Sequence, residues 1–230
     1  LNSIAYAIRR HSLLEKHTRL LVGISGGIDS LALLFLLHKF NETCRQNWYI
    51  KAAHVDAGFP DWDSASLEQY LAAQNIQVIV ARTNDHKRIQ KAEDKCFYCS
   101  RARRRKLMEI AEELDISNIV LAHHQEDVCE TLLLNILYAG RISTLLPRQP
   151  IVQGRFVLVR PLYYLDKNTI MQIGRVFGII SFRNPCSFYR DSRRERVRET
   201  LEKIRKSNPD IYSTIFHSIF NINKTYMPSC

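Results

Sequence analysis

No stretch of this 230-residue sequence is apolar for long enough to cross a bilayer as a helix, which excludes a helical membrane protein. The first sixteen residues carry Arg9, Arg10 and Lys16 without a continuous apolar core, so no secretory signal is expected there. Neither an internal repeat nor a low-complexity segment is present, and a solenoid is excluded with them. Acidic residues are scarce: 23 Asp and Glu face 33 Lys and Arg, a net charge of +10. That excess predicts a polyanionic partner, nucleic acid before an anionic membrane surface. Cysteine is limited to six, with a single C-x-x-C pair. In a chain of this size that pattern argues against a disulfide scaffold and for a reducing, cytoplasmic interior with metal or redox use of thiols. The length suits one domain, or one domain with an appendage.

What is present starts with Ser25-Gly26-Gly27-Ile28-Asp29-Ser30. The apolar run Leu20–Ile24 before it reads as a buried strand, and Leu31–Leu37 after it reads as a core helix. Strand, glycine turn and helix form a phosphate-binding arrangement. The glycines allow close backbone approach, and the helix start offers unpaired N–H groups and partial positive charge. Ser25 and Ser30 add hydroxyls. A carboxylate at Asp29 repels phosphate unless a cation stands between them, so Asp29 is read as a Mg²⁺ or orienting residue. No G-x-x-x-x-G-K-[ST] occurs, which excludes a Walker loop.

The remaining chain alternates strand and helix. A helix is expected over 2–17, strands over Trp48–Asp56, Ile76–Val80, Ile119–Ala122 and Phe156–Val159, and helices over 61–74, 100–114, 126–138 and 166–177. Asp61 or Asp63 is the expected cap of the second helix named, and 83–95 reads as a charged loop. Two further helices, about 191–206 and 209–221, close the chain. The alternation predicts an α/β fold with a doubly wound, mainly parallel sheet and a C-terminal helical tail. We divide it as 1–188, an ATP-binding domain carrying the C-x-x-C segment, and 189–230, a helical appendage. Ligands of such sheets sit beyond the carboxyl ends of the strands, where Ser25, Asp56 and His123 fall.

Asp56 at a strand end suits a metal or a ribose, or simply a loop cap. In His123-His124-x-x-Asp127-x-x-Glu130-Thr131, Asp127 and Thr131 share one helix face, toward the glycine loop. Acidic residues in a first turn also serve the helix dipole. Cys96 and Cys99 can chelate Zn²⁺ or iron, or cycle as a disulfide. There is no second C-x-x-C, so a closed zinc site would need a histidine or Cys44. Cys44, Cys129 and Cys230 are otherwise unremarked thiols.

The hexapeptide resembles the S-G-G-x-D-S loop of the PP-loop ATP pyrophosphatases. Leu121–Leu132 is similar to the G-H-H-x-D-D-x-x-E-T-L element of their tRNA-modifying branch, with Glu126 in place of the first Asp. Arg160-Pro161-Leu162, with Lys167 beyond, resembles the R-P-L segment of that branch. The C-x-x-C followed by Ser-Arg-x-Arg-Arg, and Cys186 after a proline, look like the tRNA 2-thiocytidine synthetase family. That family often has a second cysteine where this chain has Tyr189.

The resemblance implies an ATP-dependent tRNA sulfurtransferase that adenylates the C2 oxygen of an anticodon-loop cytidine and then inserts sulfur, releasing AMP and pyrophosphate. It implies a HUP-like fold, ATP and Mg²⁺ handled by Asp29 and Asp127, and a [4Fe-4S] cluster on Cys96, Cys99 and Cys186 with one open iron. It also implies a sulfur donor, either a cysteine desulfurase or free sulfide. A homodimer is among the expected assemblies. The other readings are a small-molecule or other-nucleotide sulfur transferase, lysidine synthesis, and a zinc-stabilised, nucleotide-gated RNA-binding protein. If the three cysteines converge, so do the basic runs beside them, Arg101, Arg103, Arg104 and Arg105 with Arg193 and Arg194, as an RNA backbone clamp. A basic run is otherwise usually a solvated helix face.

Overall fold

Six strands make one sheet in the order β3-β2-β1-β4-β6-β5. They are β1 (Arg19–Ile24), β2 (Tyr49–Asp56), β3 (Val78–Arg82), β4 (Asn118–Val120), β5 (Arg148–Ile151) and β6 (Phe156–Val159). The structure is a computed structural model and describes residues 1–60, 62–182, 186, 188 and 192–226. All neighbours pair in parallel except β5, which runs antiparallel to β6 at the edge. The helices are α1 (Asn2–Arg10), α2 (Ile28–Cys44), α3 (Ser64–Ala73), α4 (His86–Lys91), α5 (Lys95–Glu113), α6 (Gln125–Ala139), α7 (Lys167–Val176), α8 (Arg193–Arg205) and α9 (Ile211–Ser218).

Alternation along β1 shows how the sheet is covered. Leu20, Val22 and Ile24 join a core shared with α1, α2, α3 and α7, whereas Leu21 points the other way, to Leu107, Ile110 and Ala111 of α5. Helices on both faces explain why Leu20–Ile24 of β1 and all of β6 are apolar rather than half polar. The third cluster joins Val128 and Cys129 of α6 to Val197 and Leu201 of α8 and Tyr212 and Phe216 of α9. Burying the two α8 side chains contributes about 2 kcal/mol each, so the tail is packed against α6.

Several expected boundaries move. The first helix stops at Arg10 instead of 17, because Ser12 and His17 both take positive φ. Asp63 is the cap of α3, accepting from Ala65 and Ser66 N–H; Asp61 lies outside the described residues. The charged loop contains α4, and α5 begins five residues early because Asp94 accepts from Phe97 N–H at 3.0 Å. Strand β5 was not expected at all. Chain order reverses between β1 and β4, and β2 leaves toward one side while β4 leaves toward the other. The crevice at that switch lies above Ser25, Asp56 and His123.

Candidate active site

The glycine loop is shaped by its own serines. Ser30 Oγ accepts from Ser25 N–H at 3.1 Å and donates to Gly27 O at 2.9 Å, and Gly27 N–H donates to Ser25 Oγ at 3.3 Å. Gly26 has φ +85°, and a Cβ there would sit 2.9 Å from the Trp62 ring, so the turn needs glycine on both counts. No side chain caps α2, whose N-cap is Gly27. The first N–H groups of that helix therefore face the crevice with an anion's share of hydrogen bonds on offer.

Asp29, in the first turn of α2, is met by Lys167 from the start of α7, with Nζ 2.5 Å from Oδ1. Lys167 is itself fixed, since its N–H donates to Glu126 Oε1 at 2.8 Å. Asp127 accepts from His124 N–H at 3.1 Å in a capping box that starts α6. Its carboxylate also faces Arg194 at 3.7 Å. Burial alone would raise the Asp127 pKa, but His124, His123 and Arg194 outweigh it and hold the group below its ordinary value. His123 behaves oppositely. Burial pushes it down to about 3, against the Asp127 charge, so it is a neutral imidazole that accepts from Arg160 Nε at 3.2 Å. Asp56 accepts from Gly58 N–H at 2.9 Å, while His54 beside it bonds Ile24 O and Trp62 Nε1. Asp29, Asp56, His123 and Asp127 thus line one open cavity of about 1980 Å³.

The thiols line the same cavity. Cys96 and Cys99 lie one turn apart on α5, and Cys96 Sγ is 3.8 Å from Phe188 O, which draws the Cys186 segment alongside. Burial raises both thiols above their ordinary pKa, and the neighbouring Cys186 adds to the rise in each. Among the described residues no three His, Cys, Asp or Glu side chains converge on a point for a single ion. In a four-iron cluster each thiolate takes a different iron, and three thiols lining one cavity are donors of the type such a cluster takes. Cys44 is exposed at the far end of α2, a helix of 17 residues and so about 25 Å from Gly27, and cannot complete a zinc site here. Cys129 is buried, donates to Tyr212 O and is pushed up to about 12 by burial, an inert core thiol.

The basic runs divide. Arg103, Arg104, Arg193 and Arg194 line the cavity, whereas Arg101 and Arg105 are exposed outside it, Arg105 paired with Glu109. Phe97 and Phe188 line the cavity too, with Lys95 over the Phe188 ring.

Residues 2–204 match the PP-loop domain family. A tRNA-cytidine(32) 2-sulfurtransferase of Tolumonas auensis is 30% identical over 97% of this chain and 76% of its own length. The chain belongs to the PP-loop family, in the tRNA 2-thiocytidine synthetase branch. A second tRNA-cytidine(32) 2-sulfurtransferase, of Geotalea daltonii, is 28% identical over 98% of this chain and 92% of its own. The same PP-loop fold is seen in the U34-tRNA thiolase NcsA of Methanococcus maripaludis, solved with its [4Fe-4S] cluster. That likeness has a TM-score of 0.74 at 18% identity and covers all of this chain and 80% of that one.

Some residues of this PP-loop site were visible in the sequence without the partners that folding gives them. Lys167 meets Asp29 across 138 residues, and buried Arg160 reaches His123 across 37. Glu130, only 1% exposed, is clasped by Arg198 of α8 through Nε at 2.7 Å and Nη2 at 3.1 Å. Burial raises the Glu130 pKa, with Arg198 and Arg194 offsetting part of the rise. Removing one partner of such a pair leaves a buried charge. Arg198→Met is expected to cost on the order of 3 kcal/mol at pH 8. Because the Glu130 pKa lies above its ordinary 4.5, the penalty should be full above the folded pKa and vanish as pH falls below 4.5. Denaturant titrations at pH 8 and pH 4.5 check this; an equal loss at both would refute it.

Proposed function

We propose that this chain is an ATP-dependent tRNA thiolase that converts an anticodon-loop cytidine to 2-thiocytidine. The observation that carries this reading is one cavity holding both the PP-loop with Asp29 and the three thiols. The cytidine C2 oxygen attacks the α-phosphorus of ATP, pyrophosphate leaves, sulfide adds at C2, and the C2–O bond breaks with release of AMP. No redox change is needed in that exchange.

Position along the cavity supports the following roles. The α2 N-terminus, Ser25, Gly26, Gly27 and Ser30 cradle the departing pyrophosphate. Asp29 and Asp127 would hold Mg²⁺, and Lys167 adds positive charge beside Asp29. Asp56 and neutral His123 line the nucleotide. Cys96, Cys99 and Cys186 would hold a [4Fe-4S] cluster, which when bound supplies an iron free to carry sulfur. Burial favours the protonated form of Cys96 and Cys99, and metal binding there would release those protons. Residues 189–230 form an appendage to the 1–188 catalytic domain, and its Arg194 and Arg198 reach the α6 carboxylates. A cysteine desulfurase or free sulfide supplies the sulfur, in the cytoplasm, and two copies of the chain make the working assembly.

Mass spectrometry of tRNA nucleosides from a deletion strain tests the reaction. 2-Thiocytidine should vanish and return with the wild-type gene, and an unchanged level would reject the proposal. The clamp has its own test. Arg103→Gln with Arg104→Gln should weaken tRNA binding and reduce the salt slope by about two units, one per phosphate contact. Arg101→Gln with Arg105→Gln should change the slope far less. Equal effects of the two pairs would remove the distinction drawn from the cavity.

A further inference from the structure

The cavity does not end at the thiols. It continues along α6, past Asp127, Thr131 and Asn135 to Tyr138 and Arg141. Asp127, Thr131, Asn135 and Tyr138 recur every three or four residues, so they share one face of the helix, with Arg141 just beyond its end. From Asp127 to Tyr138 that face runs about 16 Å at the helical rise, farther than one nucleotide extends. The far end has its own character. Tyr138 is 44% exposed, and the Arg193 guanidinium of α8 lies over its ring at 5.1 Å from the centroid. Arg141 follows the left-handed Gly140 cap. Its N–H bonds Asn135 O at 3.0 Å, while Asn135 Nδ2 ties Ser143 down at 2.8 Å. This turn is therefore held against the helix rather than left loose.

Charge sorts the two ends. Between Thr131 and Leu165 the chain has no Asp or Glu. The carboxylates of α8 that reach the cavity, Glu195 and Glu202, are paired with Arg198 and Arg205. Neither Arg141 nor Arg193 is ion-paired among the described residues. A cation–π pair exposed to water gives the fold little by itself. An exposed ring with one guanidinium over its face, followed three residues on by a second cavity-lining arginine in a stretch without Asp or Glu, has the chemistry that takes a splayed base and its phosphates.

We propose that Tyr138 and Arg193 form a stacking platform for a nucleotide adjoining the modified one, with Arg141 on its phosphate. This rests on the tRNA-thiolase reading and adds the direction of the strand: the RNA enters along α6 from its C-terminal end.

The test uses the whole protein and an unmodified tRNA transcript at one fixed salt concentration. Tyr138→Ala should weaken binding about tenfold, the scale of one lost base stack. Tyr138→Phe, which keeps the ring, should bind as wild type, and ATP binding should be unchanged in both. A transcript with abasic sites flanking the target should bind weakly and show no further loss with Tyr138→Ala. Wild-type affinity in Tyr138→Ala, or an equal loss in Tyr138→Phe, overturns the platform. Failure of the wild-type protein to bind tRNA overturns the thiolase reading itself and the platform with it.

Discussion

Cys96→Ala, Cys99→Ala and Cys186→Ala are each expected to yield colourless protein that binds ATP and thiolates no tRNA. Wild-type protein purified without oxygen should be brown, with about four irons per chain. The three thiols stand on two separate segments, Cys96 and Cys99 on α5 and Cys186 before α8, and all three line the cavity. Loss of one ligand should therefore remove the cluster while the PP-loop, shaped by its own serines, keeps its geometry. Exposed Cys44 and buried Cys129 supply the controls, and alanine at either should leave colour and thiolation intact. Cys230 lies outside the described residues; Cys230→Ala is expected to do the same. One zinc per chain in colourless anaerobic protein, or full activity in Cys186→Ala, would defeat the assignment.

Asp29→Asn should lower kcat/KM for pyrophosphate release by at least about 100-fold, the scale on which one preorganised electrostatic contact acts in a transition state. The substitution keeps volume and removes the charge that Lys167 and a cation both seek. Asp127→Asn should fall comparably, and its effect should not add to that of Asp29→Asn if the two share one metal. Release of pyrophosphate rather than phosphate by the wild type is the companion measurement. Phosphate as product would reject the PP-loop chemistry, and undiminished turnover in Asp29→Asn would free that residue from any metal role.

The parts of the fold that could be read beforehand were those with local causes. Strand β1, the glycine turn and α2 follow from an apolar run, two glycines and a leucine-rich segment lying consecutively. The alternation of elements predicted the parallel sheet, and Asp29, His123 and Asp127, which sit in short patterns, come together along one cavity. Strand β5 was hidden by Pro150, which a sheet tolerates only at an edge or a bulge, and it is an edge strand here. Helix α4 spans six residues, too few for a period to show. The C-x-x-C was taken as delivered by a loop because the charged residues ahead of it masked the Asp94 cap. Contacts made only in three dimensions had no trace at all. Lys167 reads as the lysine beyond the Arg160-Pro161-Leu162 segment, and Arg198 as one more positive charge in a basic run, with no sign of the carboxylate that folding places against each. The basic runs illustrate the same limit, since only helix phase separates Arg103 and Arg104 from Arg101 and Arg105.

Helix α5 carries the two thiols and the cavity-facing arginines on a single continuous rod. Their spacing along the chain is therefore also an angle. Cys96, Cys99 and Arg103 fall at intervals of three and four, which keeps them on one side of the helix. One residue inserted between Cys99 and Arg103 would turn every later side chain by about 100° and swing the arginines off the cavity while Leu107 and Ile110 left the core. The segment from Cys96 to Ile110 can thus vary in side-chain identity on its outer face, but its length is locked by the same rotation that aligns the thiols, the cavity-lining arginines and the core.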